Sequence, residues 1–200
     1  MSMFSMLCRF LALIIFSLMF FVGYKKNFFE RNKEINSENI STENLINDGL
    51  PLRWVYEEVQ DPISSQKICR AHVYSRNLVN LKPPYSGEQR AELIIQNHPR
   101  FGNSAILKIK KGQFVCSIND CDVNMNFDAS YGAKYNSSPS KDYSPEVIFI
   151  GEYREFIYQI KKSKIMKIAA TVYLEGEMVF DFDISELPSP SSFDFKYISP

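Results

Sequence analysis

The stretch Gln113–Asp128, QFVCSINDCDVNMNFD, carries the clearest β-sheet pattern in this chain of 200 residues. Successive side chains of a β-strand point to opposite faces of the sheet, so apolar residues two apart predict one buried face. With Asn119-Asp120 as its turn, the stretch is predicted to form a hairpin. The side chains predicted to share its buried face are Phe114, Cys116, Cys121, Val123, Met125 and Phe127.

The two cysteines of this hairpin predict a disulfide bond. A two-residue turn would pair Ile118 with Cys121, whereas a four-residue loop, Ser117 to Asp120, places Cys116 opposite Cys121. Only the second register satisfies disulfide geometry. A zinc site or a redox dithiol fits less well, because both favour CxxC pairs, which the chain lacks. A disulfide of this kind favours an oxidising compartment.

A second hairpin is predicted near the C-terminus, with Glu175-Gly176 as its turn. Its apolar residues again repeat with a period of two and predict one buried face. They are Met166, Ile168, Ala170, Val172 and Leu174 before the turn, and Met178, Phe180, Phe182 and Ile184 after it. Further strands are predicted at 54–59, 69–79, 91–96, 104–111 and 146–150, with a polar loop at 129–145.

One amphipathic helix is predicted between the last two of these strand regions. The spacing of i, i+3, i+4 and i+7 indicates one apolar helical face, and it is formed by Tyr153, Phe156, Ile157 and Ile160. Many short alternating strands and a single helix predict a mainly β fold. The expected architecture is an antiparallel β-sandwich with one amphipathic helix, preceded by an N-terminal transmembrane or signal-anchor helix.

The N-terminus predicts a membrane anchor or signal segment at residues 1–26. Residues 10–24, FLALIIFSLMFFVGY, carry no charge and lie between Arg9 and Lys25. Such a run, extended by apolar residues before it, is long enough for one membrane span, so residues 10–24 are predicted to contact the membrane. Cleavage of a secretory signal is the alternative, but Gly23 is the only small residue at the end of the run.

The rest of the chain divides by composition into three parts. Residues 27–50 are rich in Asn, Glu, Ser and Lys and predict a polar linker, because they cannot bury enough apolar surface to fold. Residues 51–187 are predicted to form the β-sandwich domain, and residues 188–200 an extended tail. Basic residues after the apolar run favour a cytoplasmic domain. The predicted disulfide favours the periplasm, and we expect a single-pass inner-membrane protein with a periplasmic domain.

No candidate active site emerges from the remaining residues. The chain has 23 basic and 23 acidic side chains, so no excess positive charge favours nucleic acid as a partner. His72 and His98 are its only histidines, and neither lies in the context of an activated nucleophile. Asp120, Asp122 and Asp128 lack the spacing of a calcium loop. We therefore expect no catalytic, cofactor-binding or metal-binding residues.

The segment from Trp54 to Leu187 resembles a loosely defined group of uncharacterised bacterial envelope proteins. These proteins are lipoprotein-like or signal-anchored and often lie near mobile elements. The resemblance is carried by Tyr74-Ser75-Arg76-Asn77, Pro84-Tyr85-Ser86-Gly87, Gly112-Gln113-Phe114-Val115-Cys116, Cys121-Asp122-Val123 through Phe127-Asp128, and the closing hairpin. This chain departs from the group in lacking a lipobox cysteine after the apolar run. In strand order it is also similar to periplasmic β-sandwich accessory proteins of secretion systems.

These observations favour a membrane-tethered, non-enzymatic module that binds another envelope protein. The alternatives are an envelope hydrolase or ligand-binding protein with a dispersed site, or an accessory component of a secretion system. An enzyme predicts a deep pocket with a histidine in reach of a nucleophile. An interaction module predicts a flat apolar patch or an exposed sheet edge.

Overall fold

A computed structural model of the protein describes residues 49–116 and 121–187. The predicted membrane segment at 1–26, most of the linker at 27–50 and the tail at 188–200 lie outside the described residues. Within the described part of the chain, no helix is long and apolar enough to cross a bilayer.

The described residues form eleven β-strands and one α-helix. In chain order these are β1 (Val55–Gln60), β2 (Lys67–Tyr74), β3 (Val79–Leu81), β4 (Gly87–Gln89), β5 (Glu92–His98), β6 (Gly102–Lys108), β7 (Asp122–Phe127), β8 (Ala133–Pro139), β9 (Val147–Ile150), α1 (Tyr153–Lys162), β10 (Ile165–Val172) and β11 (Gly176–Asp183).

Nine of these strands form a single antiparallel sheet in the order β1-β2-β5-β6-β9-β8-β7-β10-β11. The remaining two, β3 and β4, form a separate two-stranded ribbon. Strand β8 pairs with both β9 and β7, so it joins the two halves of the sheet. The prediction of a mainly β, antiparallel domain with one amphipathic helix is confirmed.

The core of the domain lies between the two halves of the sheet, because each half turns one face toward it. The period-two pattern is therefore confirmed for β7, β10 and β11. The prediction that Leu174 shares the buried face is wrong, because Leu174 lies in the turn between β10 and β11 and is 56% exposed. Full burial of a large apolar side chain contributes about 1.5–3 kcal/mol to the stability of a fold. Side chains that are at most 1% exposed come from the first half, as Val73, Leu93, Ile95 and Leu107, and from the second, as Met125, Ile168, Phe180 and Phe182.

Helix α1 packs its apolar face into the same core. Phe156, Ile157 and Ile160 are buried, as their helical spacing predicts. The ring of Phe156 meets Phe127 and Tyr135 edge to face, with centroids 6.3 and 6.4 Å apart. This geometry is favourable for aromatic pairs, so the helix is held by the inward side chains of β7 and β8.

The predicted hairpin between Phe114 and Phe127 is wrong in its pairing. Strand β7 pairs with β8 on one edge and with β10 on the other. Phe114 instead bridges Val172 of β10, and the Val115 amide donates to the Thr171 carbonyl at 2.8 Å. Alternation predicted which side chains are buried, but it carries no information on which strand lies alongside.

Two other strand assignments also differ from the sequence prediction. The strand predicted at 69–79 ends at Tyr74, and Val79 belongs to the ribbon strand β3. Strand β8 occupies part of the predicted loop at 129–145. Among its inward residues only Tyr135 is a large buried side chain, so the strand has almost no hydrophobic pattern.

The segment that follows β2 closes the sheet by binding the outer edge of β11. The Arg76 amide donates to the Asp181 carbonyl at 2.6 Å. The side-chain amide of Asn77 donates to the Val179 carbonyl at 2.8 Å and accepts from the Asp181 amide at 2.8 Å. The Asn77 side chain thus bonds β11 as a neighbouring strand would, and we call this set of bonds the Asn77 latch.

An ion pair between a buried carboxylate and a partly exposed guanidinium ties the β1–β2 turn to the β5–β6 turn. Asp61 is fully buried, and its carboxylate accepts two bonds from the Arg100 guanidinium, at 2.7 and 3.0 Å. It also accepts a bond from the Ser64 hydroxyl at 2.6 Å. These hydrogen bonds from Arg100 and Ser64 hold the pKa of Asp61 well below its usual range.

Replacing Asn77 with alanine is expected to destabilise the domain by about 1–2 kcal/mol, because two backbone groups of β11 lose their partner. Urea unfolding followed by the fluorescence of Trp54, the only tryptophan, measures this change. Asn80→Ala is the matched control, because Asn80 is exposed on the ribbon. Equal effects of the two substitutions would contradict the role of the latch.

Replacing Asp61 with asparagine is expected to lower the thermal midpoint at pH 7 by about 10 °C, because Arg100 loses a buried partner. A lowered folded-state pKa contributes stability that is present above the unfolded value, near 3.8, and is lost as the pH falls through the folded-state pKa. The difference in thermal midpoint between wild type and variant should therefore shrink progressively below about pH 4. Thermal unfolding monitored across this pH range measures it, and a pH-independent difference would contradict it.

Candidate functional site

A row of outward-facing side chains crosses the first half of the sheet. Residues directly opposite one another in antiparallel strands lie on the same face of the sheet. Neighbouring strands are about 4.8 Å apart, so a row across six strands is about 24 Å long. We call this set the outer row. Its members, one from each of β1, β2, β5, β6, β9 and β8 in that order, are Val55, His72, Ile94, Ile106, Phe149 and Ser138.

The centre of the outer row is apolar although it faces away from the core. Ile106 is only 9% exposed, yet it does not belong to the main core cluster. Its neighbours Ile94 and Phe149 are half-buried. The solvated face of an antiparallel sheet is normally polar, so a continuous apolar strip on that face suggests a contact surface.

Charged and polar side chains border the outer row on both sides. On one side Arg70 donates to the Gln96 side chain at 2.7 Å and lies 3.5 Å from the Glu57 carboxylate. On the other side Glu92 stands opposite both Tyr74 and Lys108. The surface thus combines an apolar centre with a polar margin, which is the anatomy of protein interfaces.

His72 is the only ionisable residue in the outer row, and its side chain is hydrogen-bonded to Glu92 in the polar margin. Its Nδ1 lies 2.8 Å from Oε1 of Glu92, and the two side chains are only 22% and 15% exposed. Burial raises the pKa of Glu92, but the hydrogen bond from His72 and the charges of His72 and Lys108 outweigh this and lower it. Burial and the charge of Glu92 raise the pKa of Tyr74 to about 12.

The histidines do not form a nucleophile–base pair with the residues that bond them. The bonded partner of His72 is a carboxylate rather than a hydroxyl or a thiol. The buried His98 accepts a bond from the Arg100 amide at 3.2 Å and packs on the Phe101 ring. In the described ranges, no three His, Cys, Asp or Glu side chains are grouped so that they could hold a metal ion.

The carboxylates near the predicted hairpin serve local structure. The Asp128 carboxylate accepts hydrogen bonds from the Ile165 and Lys164 backbone amides, both at 2.9 Å. These bonds lower the pKa of Asp128. Asp122 pairs with Lys134. Asp120 lies outside the described residues.

The structure joins Cys116 to Cys121 by a disulfide, with the two Cα atoms 4.3 Å apart. Cys116 follows the segment that bonds Thr171, and Cys121 precedes β7. Both segments lie along the same edge of β10, so the disulfide connects two consecutive pieces of chain that pair with one strand. Its partners are those that the sequence predicts, but its setting is this edge rather than a hairpin tip.

Three of the segments quoted above for the resemblance, residues 74–77, 84–87 and 112–116, make structural contacts. Asn77 forms the latch, and the hydroxyl of Tyr85 is bonded by the side-chain amide of Gln113. Gly112 has a φ of +99°, and a Cβ atom there would lie 3.0 Å from Leu81 of the ribbon. These residues therefore hold the β3–β4 ribbon and the sheet edge in place.

The outer row was missed in the sequence analysis, although a signal for it exists. Consecutive apolar residues occur in β5 (Leu93 to Ile95), in β6 (Ala105 to Leu107) and throughout β9. Such runs are typical of strands that are buried on both faces. They mark the strands whose outward side chains form the apolar centre of the row.

No protein-family model matches this chain. No curated protein and no solved structure is detectably similar to it.

Replacing Cys116 and Cys121 with serine is expected to lower the free energy of unfolding by about 2 kcal/mol, because the disulfide closes a small loop. Urea unfolding of the variant and of wild type, with and without reductant, measures this. In intact cells, both cysteines should resist maleimide labelling until a reductant is added. Free thiols at both positions in the native protein would contradict the disulfide.

Proposed function

We propose that this protein is a membrane-tethered, non-enzymatic interaction module of the bacterial cell envelope. The observation that supports it best is the outer row, whose apolar centre faces away from the core. The partner is another envelope protein that presents an apolar surface of similar size.

The dimensions of this surface suit the centre of an interface. The outer row is about 24 Å long, and its two margins make it about 13 Å wide. A standard interface buries about 800 Å² on each partner, so this area can form its apolar centre while the surrounding polar residues form its rim. Ile94 and Phe149 are the side chains best placed to enter the partner.

The remaining features of the proposal come from the sequence. Residues 10–24 anchor the chain as a single pass in the inner membrane, and the linker at 27–50 separates the domain from the bilayer. The domain, a β-sandwich in this proposal, lies in the periplasm, where a disulfide such as Cys116–Cys121 is stable. No cofactor and no nucleic acid takes part.

Photo-cross-linking in cells tests the proposed surface. A photoreactive amino acid at Phe149 or at Ile94 is expected to capture the same partner, because both residues lie in one row. The matched control is Val179, which is 45% exposed on β11 in the second half of the sheet. Ile94→Asp should reduce capture from position 149 about tenfold or more, because it places a charge in an apolar contact.

Equal capture from positions 149 and 179 would contradict the proposed surface. Urea unfolding of Ile94→Asp distinguishes loss of binding from loss of folding. A variant that unfolds like wild type but no longer captures the partner supports the proposal.

A further inference from the structure

The outer row has its midpoint between β5 and β6, where Ile94 and Ile106 stand opposite each other. A two-fold axis that runs along the strands at this midpoint exchanges β5 with β6, β2 with β9 and β1 with β8. A two-fold interface uses the same patch on both subunits, so that patch must be complementary to its own rotated copy. The outer row and its margins meet this condition.

The apolar centre of the outer row fits its rotated copy. When two copies lie face to face, Ile94 of each copy lies against Ile106 of the other. Phe149 of β9 and His72 of β2 also exchange places, so each Phe149 ring lies against an imidazole. Packed sheets lie about 10 Å apart, with their strands within about 30° of each other, and their side chains interdigitate. The half-buried side chains of both centres would thereby lose their remaining contact with water.

The charged margin is complementary under the same rotation. Glu92 on β5 and Lys108 on β6 are directly opposite each other in the sheet. Because the rotation exchanges these two strands, Glu92 of each copy faces Lys108 of the other, and two ion pairs form across the interface. On the opposite margin the neutral side chains of Gln96 and Ser104 face each other in the same way. Complementary charges of this kind fix the register of an interface.

A two-fold axis along the row, rather than along the strands, fits these residues less well. It places Glu92 against Gln96 of the second copy and Lys108 against Ser104, so neither charge meets its opposite. It also brings the two His72 side chains together, which is repulsive when both are protonated. The charges of the surface therefore favour the axis along the strands.

We propose that the outer row binds the outer row of a second copy of this chain, as a two-fold symmetric pair of sheets packed face to face. This inference rests on the proposed function, because it takes the outer row as the contact surface, and it names the partner. Ile94 and Ile106 of both copies form the centre of the dimer interface. Glu92 and Lys108 of both copies set its register.

Lys108→Glu in the full-length chain tests the charge pairing. By symmetry it opposes two pairs of glutamates, so the dissociation constant of the dimer is expected to rise about tenfold or more. Sedimentation equilibrium in detergent measures this constant. The control is Lys167→Glu, which makes the same charge change at an exposed position of β10, outside the outer row, and should leave the constant unchanged. A wild-type chain that stays monomeric, or equal effects of the two substitutions, would overturn the proposal.

A mixture of two variants separates contact between copies from an effect within one chain. Glu92→Lys alone opposes pairs of lysines, so neither this variant nor Lys108→Glu is expected to associate with itself. Mixed in equal amounts, the two carry opposite charges at the facing positions and should associate within about threefold of the wild-type affinity. Urea unfolding shows whether Glu92→Lys, which loses its bond to His72, still folds. Two folded variants that stay monomeric in the mixture would overturn the two-fold register.

Photo-cross-linking in cells tests the same geometry without changing a charge. A photoreactive amino acid at Phe149 of the full-length chain is expected to join two copies and to attach to the β2 peptide that contains His72, as peptide mass spectrometry shows. Capture of a different protein from positions 149 and 94 would overturn the dimer while supporting the proposed function. Equal capture from positions 149 and 179 would contradict the outer row as a contact surface and so would overturn both.

Discussion

The bonds that Arg76 and Asn77 make to β11 close this domain, and its packing depends on them. The latch joins residues that are 102 positions apart in the chain. It brings the last strand of the sheet back to the end of β2, so the inward faces of both halves enclose one core. Without this contact, the apolar residues of β10 and β11 would lack part of the opposing surface that keeps them dry.

The closed core determines which side chains are available for recognition. Once the even or odd positions of a strand are committed to the interior, the other positions must face outward. In β5, β6 and β9 these outward positions are partly apolar as well. The outer row is therefore a consequence of strands that are hydrophobic on both faces, and its margin of Glu57, Arg70, Glu92 and Lys108 frames the apolar centre with charge.

The strands at the two ends of the sheet are protected in different ways from pairing with other chains. Strand β11 is an edge in the pairing order, but the Asn77 latch supplies hydrogen-bond partners to its backbone. Strand β1 carries Glu57 and Glu58, whose charges disfavour pairing with an identical strand. Charge on one edge and a side-chain amide on the other therefore both reduce unwanted association.

The sequence by itself determined the buried face of each strand with a clear alternating pattern, the amphipathic helix and the cysteine pair. It could do so because alternation and helical period are local properties of the chain. Strand β8 was not predicted because Tyr135 is the only large side chain at its inward positions, and the others are Ala133, Ser137 and Pro139. Only the tertiary structure decided that Phe114 pairs with Val172, that Asn77 bonds β11 and that six strands align their outward residues in one row. Each of these depends on contacts between residues far apart in the chain, which periodicity does not encode.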